Sequence, residues 1–469
     1  MSRGHAGAGG SALWRALLAV AFIGTLAAGL ATPIRSSHLA RTTGDEPQYL
    51  LTAISVAEDR SLDIADEHAS ERYRPFHEIR LAPQAKLLSG GRMVSPHDPL
   101  LPLLLALPVS LGGWFAAKLG LAVLAGGLAA VTLWVAVRRF GVPALSAAVA
   151  VGVFAASAPL AIYGSQVYPE VPAALAFIVG VACLTGALRP AELVALGASV
   201  VVLPWLSIKF VPVAAALAIL GLLRLRKEGR MPELAFLAGA LAIAAAAFLV
   251  GHLAWYGGVT PYAAGSHFAD AGQLSVVGRD PNVVGRSTRL IGLLVDRTFG
   301  LGAWQPAWIL VIPALAALVR LRPPRSAALV VPLAVGWLTA SFVALTMHGW
   351  WWPGRQVVVV LPAAVVLIAW WASQARGRFI ALAAMGAMGV ANYAWLLADG
   401  WSGRITLAVD FHTTRSLPYR LAATLLPDYQ TYSAATWFLH GAWVIAAVLL
   451  AAGGARYSVP GSRAANAST

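Results

Sequence analysis

Arg41-Thr-Thr-Gly-Asp-Glu-Pro-Gln-Tyr-Leu50 follows closely on a long apolar stretch, Ala12–Ile34, and that junction decides how the chain is read. It sets two adjacent carboxylates, Asp45 and Glu46, at the edge of a segment long enough to cross a bilayer. Asp45 stands where a helix N-cap is expected, with Pro47 in the first turn and Gln48 three residues on in capping-box register. Tyr49, Leu50, Ile54 and Ala57 then recur at helical spacing until Glu58, Asp59 and Arg60 end the run. The expectation is a short amphipathic helix lying along the membrane surface. Two readings of the acids stand side by side: they cap that helix and no more, or Asp45 is a catalytic base held beside lipid.

Outward from this junction, apolar runs of about 20 residues recur from end to end of the chain. With 59% hydrophobic and 12% charged residues and a mean hydropathy of +0.72, the composition excludes an ordinary soluble domain. It predicts an all-α polytopic membrane protein. Twelve spans are expected, at 13–33, 113–137, 143–162, 170–188, 191–206, 209–223, 234–256, 303–319, 326–346, 357–373, 379–398 and 434–453. Leu100–Leu111, interrupted by Pro102 and Pro108, is expected as a further interfacial segment. A single transmembrane domain should cover 1–456, with a long first loop at 35–98 carrying interfacial helices and a short disordered tail at 457–469.

The formal net charge of +14 invites a nucleic-acid reading, but its distribution argues otherwise. With the N-terminus inside, sixteen basic residues fall on the inner side, Arg138, Arg139, Arg224, Arg226, Arg320 and Arg322 among them. Only Glu192, Glu228 and Glu233 oppose them there, and the remaining charges nearly cancel. The excess is a positive-inside signal, so no nucleic acid is required. Both termini are thereby expected in the cytoplasm and the 35–98 loop outside. The first apolar stretch is too long for a typical signal-peptide core and is read as a retained anchor. Cys183 falls within an expected span and reads as a small buried apolar side chain. The chain carries no CxxC pair, HExxH, P-loop lysine motif or GxGxxG after a strand, and no internal repeat.

Further polar residues punctuate the expected outer ends of the spans. In Ser95-Pro-His-Asp-Pro99, Asp98 caps the next helix, or His97 and Asp98 face the same cavity as Asp45. Lys118 reads as snorkelling from within the second span. Glu170, closing Ser165-Gln-Val-Tyr-Pro-Glu170, favours a helix N-terminus or supplies a second cavity carboxylate. Lys209, in the outward break Pro204–Lys209, snorkels or meets a lipid phosphate. Trp350, Trp351 and Trp352 read as an aromatic belt, whereas Arg355, after Pro353-Gly354, offers a planar fork to a phosphate or carboxylate. The loop at 257–302 holds Tyr262, His267, Asp270, Arg279 and Asp280, and ends in Asp296-Arg297, read as a local ion pair. The loop at 399–432 carries charge but no assignable chemistry.

With these residues in place, the chain resembles the GT-C superfamily, the integral-membrane glycosyltransferases that use polyprenyl-phosphate-linked sugars. Within it, the likeness is to the branch of protein O-mannosyltransferases and aminoarabinose transferases. It rests on Asp45, Glu46 and Tyr49 just past the first span, on the long first loop, on Ser165–Glu170, and on Trp352-Pro-Gly-Arg355 before a later span. The resemblance implies a GT-C-like fold with Asp45 as general base and with Glu46 and Glu170 as further catalytic acids. Arg41, Tyr49, His97, Asp98, Lys209 and Arg355 would bind substrate. No residue is assigned as a metal ligand; some relatives do bind a divalent cation near the first-loop acids, where His97 and Asp98 could supply ligands. The implied partners are a polyprenyl-phosphate-linked sugar, a glycan, lipid or protein acceptor, and membrane lipids. The implied location is the cell inner membrane with the active site extracytoplasmic. A transporter or flippase of a lipid-linked saccharide is the alternative. It would show repeats and broken polar helices at the midplane. Here the ionisable residues gather at outer helix ends, which favours the enzyme.

Overall fold

Apolar runs punctuated by proline and glycine become helices, and the computed structural model describes residues 4–266 and 281–456. The expected tail at 457–469, and His267, Asp270, Arg279 and Asp280 of the later loop, lie outside the described residues. Among the described residues the regular structure is helical, joined by isolated bridges such as Asp63 with Val94. The principal helices are α1 (Gly4–Ala31), α2 (Glu46–Glu58), α3 (Ala65–Ala69), α4 (Leu100–Phe140), α5 (Ala144–Ala155), α6 (Glu170–Leu184) and α7 (Pro190–Leu206). They continue as α8 (Val211–Lys227), α9 (Met231–Tyr256), α10 (Val311–Leu321), α11 (Ala327–Leu338), α12 (Leu361–Ala372), α13 (Arg376–Trp401) and α14 (Ala434–Arg456). Pro47, Pro190, Pro212, Pro232 and Pro362 sit in first turns, where a missing N–H costs nothing.

Each expected span coincides with an apolar helix. Six are long and apolar enough to cross a membrane by length and composition, and the others are shorter apolar helices of 10–17 residues. Several short ones are lengthened by tighter or wider turns, such as the 3₁₀ turn Pro306–Leu310 before α10 and the π turn Thr339–Val343 after α11. Leu100–Leu111 is a separate helical piece, as expected, although it shares the label α4 with the span that follows. The two helices meet at Gly112 and Gly113, whose backbone angles leave the helical region. Contrary to expectation, Pro102 and Pro108 do not interrupt the first piece: Pro102 is tolerated in the first turn and Pro108 lies inside the helix.

Packing separates centre from rim. α12 is buried on nearly every side from Leu361 to Ala369, as an all-round apolar helix in a core should be. α4 runs against α1, α2, α5, α6 and α12. By contrast, α9 and α14 leave Ile243, Val250, Phe438 and Leu449 uncovered, an arrangement stable only in lipid. The protein is therefore a multi-pass membrane protein.

The basic loops expected on the inner side share one end of the bundle. Arg139 pairs with Glu192 at 2.9 Å, Arg224 donates to the Leu184 carbonyl at 2.7 Å, and Arg230 donates to the Leu188 carbonyl at 2.8 Å. Arg325 donates to the Thr185 carbonyl at the same end. Because α6 runs toward these loops and ends at them, its first residue, Glu170, stands at the opposite end.

Candidate active site

Asp45 occupies the N-cap position of α2, but its side chain makes no capping bond. The preceding Gly44 turns the chain at φ +59, and a Cβ there would meet the Tyr168 hydroxyl at 2.7 Å. That turn sends the Asp45 carboxylate away from its own helix, and the capping-box expectation gives way to a long-range pair. Oδ2 of Asp45 accepts from the Arg355 guanidinium at 2.5 Å. Arg355 is aimed by Gly354 at φ +85, packed so closely on Leu301 that a Cβ would sit 2.6 Å away.

Arg355 Nε donates to Oε1 of Glu170 at 3.1 Å, and Lys209 Nζ reaches the same oxygen at 2.5 Å. The guanidinium lies over the rings of Tyr168 and Trp351, 4.2 and 5.0 Å from their centroids. His97 Nε2 is 3.9 Å from Asp45 Oδ1 and 3.0 Å from Gln84 Oε1, and its ring stacks on Tyr49. Two carboxylates and two cations thus alternate in one cluster. Burial alone would favour a neutral Asp45, but Arg355, then His97 and Lys209, outweigh it and hold the carboxyl well below the usual range. Burial pushes the His97 imidazole down, against the pull of Asp45.

This cluster forms one end of a cavity of about 850 Å³. Asp45, Tyr49, His97, Lys209 and Arg355 line that end, and Pro212, Val213, Ala340, Val343 and Leu345 line apolar wall beyond it. Glu170 stands behind them, fully buried, with its second oxygen unpartnered.

Besides Glu170, three candidates lie off the cavity. Glu46 is wholly enclosed: Oε1 accepts from Ser36 Oγ at 2.8 Å, Oε2 from the Val167 N–H at 3.0 Å, and Lys118 Nζ is 3.8 Å from Oε2. Lys118 therefore does not snorkel; it turns inward to a buried carboxylate and is only 2% exposed. Asp98 does not cap α4. Its Oδ2 accepts from the Ile208 N–H at 2.7 Å and its Oδ1 faces His252 Nε2 at 3.0 Å, which pins the chain beside Lys209. Arg41 pairs with Glu78 at 3.3 Å and lies over Trp114, half exposed.

Two other expectations are corrected. The tryptophan run is no uniform belt: Trp350 is exposed, Trp351 covers Arg355, and Trp352 is buried. Asp296 and Arg297 do not pair, since Asp296 accepts from the backbone of Thr298, Phe299 and Tyr429 while Arg297 faces Asp428. Sequence reasoning missed Gln84 and His252, which no motif marks. Tyr168 was signalled only by its place in the quoted Ser165–Glu170 stretch. Acids able to converge on a cation are Asp59, Asp66 and Glu67, none of which lines the cavity.

Helix order and packing together define a polytopic helical membrane protein. No family model and no curated protein matches the chain. Among solved structures it is similar to ArnT from Cupriavidus metallidurans bound to undecaprenyl phosphate, with a TM-score of 0.53 at 14% identity over 97% of this chain and 76% of that one. The same enzyme in the apo state gives 0.52 at 16% identity over 94% and 72%.

Proposed function

We propose that the protein is a glycosyltransferase that moves a hexose or pentose from a polyprenyl-phosphate donor to an acceptor hydroxyl, with inversion, on the extracytoplasmic face of the inner membrane. The supporting observation is that one cavity joins two cations, Lys209 and Arg355, to an apolar wall. A lipid phosphate needs both, the cations for its charge and the wall for its chain. The GT-C fold shared with an ArnT bound to undecaprenyl phosphate agrees with this reading. In it, residues 1–456 act as one transmembrane domain with both termini cytoplasmic.

Before substrate arrives, Arg355 is spent on Asp45 and Glu170, and Lys209 on Glu170. A donor phosphate competes for both cations. As Arg355 turns to it, Asp45 loses its strongest counter-charge and becomes a better base. Asp45 then takes the acceptor hydroxyl proton while that oxygen bonds to the anomeric carbon. The bond from that carbon to the phosphate oxygen breaks, and its electron pair departs with the polyprenyl phosphate. Arg355 and Lys209 stabilise the charge that grows there. Phosphate is a good leaving group, so no general acid is needed. Glu170 keeps both cations in register from behind, and Tyr49 and His97 form the surface on which the sugar or acceptor rests.

The test is transfer by the purified protein from a panel of synthetic polyprenyl-phosphate sugars. Asp45→Asn should lower turnover about 10²–10⁴-fold while the fold is retained. Undiminished transfer by a folded Asp45→Asn variant would refute the base. Donor movement across vesicles with no transfer at all would make the protein a transporter.

A further inference from the structure

Away from the cavity, the far end of α2 carries a second group of acids. α2 ends at Glu58 with Asp59 as its C-cap residue, and α3 brings Asp66 and Glu67 back beside it. One carboxylate oxygen from each of Asp59, Asp66 and Glu67 lies within 4.8 Å of the others. Asp59 and Asp66 are exposed, but Glu67 is 2% exposed and neither of its oxygens has a hydrogen-bond partner. The neighbouring hydroxyl of Ser55 is committed elsewhere, to the Asp63 carbonyl at 2.6 Å. Arg72, which feels the charge of Glu67, is held in a two-pronged pair by Glu58 at 2.6 and 2.8 Å. A buried carboxylate with no donor is costly.

We propose that Asp59, Asp66 and Glu67 bind a divalent cation of the calcium type. All three ligands are carboxylate oxygens, which suit a hard cation, and their spacing fits bonds of about 2.3–2.6 Å to one centre completed by water. The C-terminal end of α2 adds negative potential at the same place. Magnesium, which demands a tighter octahedron, fits less well.

The ion would act at a distance from the cavity. Between the ligands, Asp63 Oδ1 accepts from the backbone of Ala65 and Met93, and the Ile64 N–H donates to the Met93 carbonyl at 2.8 Å. Met93 lies just ahead of His97, and α2 begins beside Asp45. A cation here therefore clamps together the two pieces of chain that present Asp45 and His97, without touching substrate.

The experiment uses the full chain in nanodiscs, stripped by a chelator and titrated separately with calcium and magnesium chloride. Calorimetry should find one calcium with a dissociation constant of about 10⁻⁴–10⁻³ M, as in extracellular modules. Saturating calcium should raise the unfolding temperature by the corresponding linkage. Glu67→Gln and Asp59→Asn should each weaken binding at least about tenfold, a loss of one strong ligand. Glu71→Gln, an acid of the same loop paired with Arg74, should bind as the native chain does. Absence of any calcium response, or an unchanged response in Glu67→Gln, would overturn the site. So would stability that follows pH but not calcium, which would mean that Asp66 and Glu67 share a proton. None of these readouts depends on glycosyl transfer, so failure here is distinct from failure of the cavity assignment.

Discussion

Asp45 and Glu46 leave the same turn of chain, yet one carboxylate faces the cavity and the other faces the protein interior. Asp45 is a quarter exposed and meets a guanidinium that a phosphate could compete for. Glu46 is sealed between Ser36, Val167 and Lys118, three groups that no ligand can reach. The difference teaches that an acidic pair in sequence divides its work. The first acid lines the cavity, and the second fastens the loop to α4 and to the segment leading into α6. A buried pair of this kind is fragile to the loss of one member, because the other is left charged in a dry environment.

Substitutions break or sharpen this contrast. The largest loss of turnover is expected for Asp45→Asn, as set out above. Next comes Arg355→Ala, which should cost about 10²–10³ in kcat/KM, the scale of removing one charge-stabilising donor. It should also move the acid limb of the residual pH–rate profile upward. With Arg355 present, Asp45 stays ionised below the ordinary carboxylate value. Without it, burial is opposed by less positive charge, the pKa rises, and the base is protonated at higher pH. An acid limb that stays where it is would remove Asp45 from the rate-determining ionisation.

Glu46→Gln should behave differently, lowering stability by about 3–5 kcal/mol through an uncompensated Lys118. Thermal unfolding and yield would fall, whereas turnover per folded molecule stays close to native. Adding Lys118→Met should recover part of the stability. If Glu46→Gln instead lost turnover with its melting curve intact, the division of labour would be wrong. The smallest effect belongs to Arg41→Ala. Its pair with half-exposed Glu78 is worth at most about 1 kcal/mol, and donor KM should hardly move. A KM change as large as that of Arg355→Ala would bring Arg41 back to the substrate.

Much of the architecture was legible because apolar length and loop charge are written locally. The centre-to-rim order of the helices was not, since α12 and α14 read alike by hydropathy while one is enclosed and the other bare. At the site, the sequence named Asp45, Glu170, Lys209 and Arg355 but could not join them, because each partner is distant in the chain. It placed Asp45 at the N-cap, where it stands, but expected a capping contact that the side chain does not make, because position and contact are separate facts. Lys118 was misread for a related reason: a lysine in a span snorkels unless a carboxylate waits inside, and only the folded loop brings Glu46 there. The isolated Glu67 left no signal, being one acid in a loop rich in them.

The bond between Arg355 and Asp45 closes a separation of 310 positions. Synthesis from the N-terminus therefore delivers both acids of the cluster long before the guanidinium that balances them. A nascent chain stalled ahead of Arg355 carries a half-built, electrically mismatched pocket, and a nonsense codon just upstream leaves a fragment in which Asp45 has lost the guanidinium it pairs with.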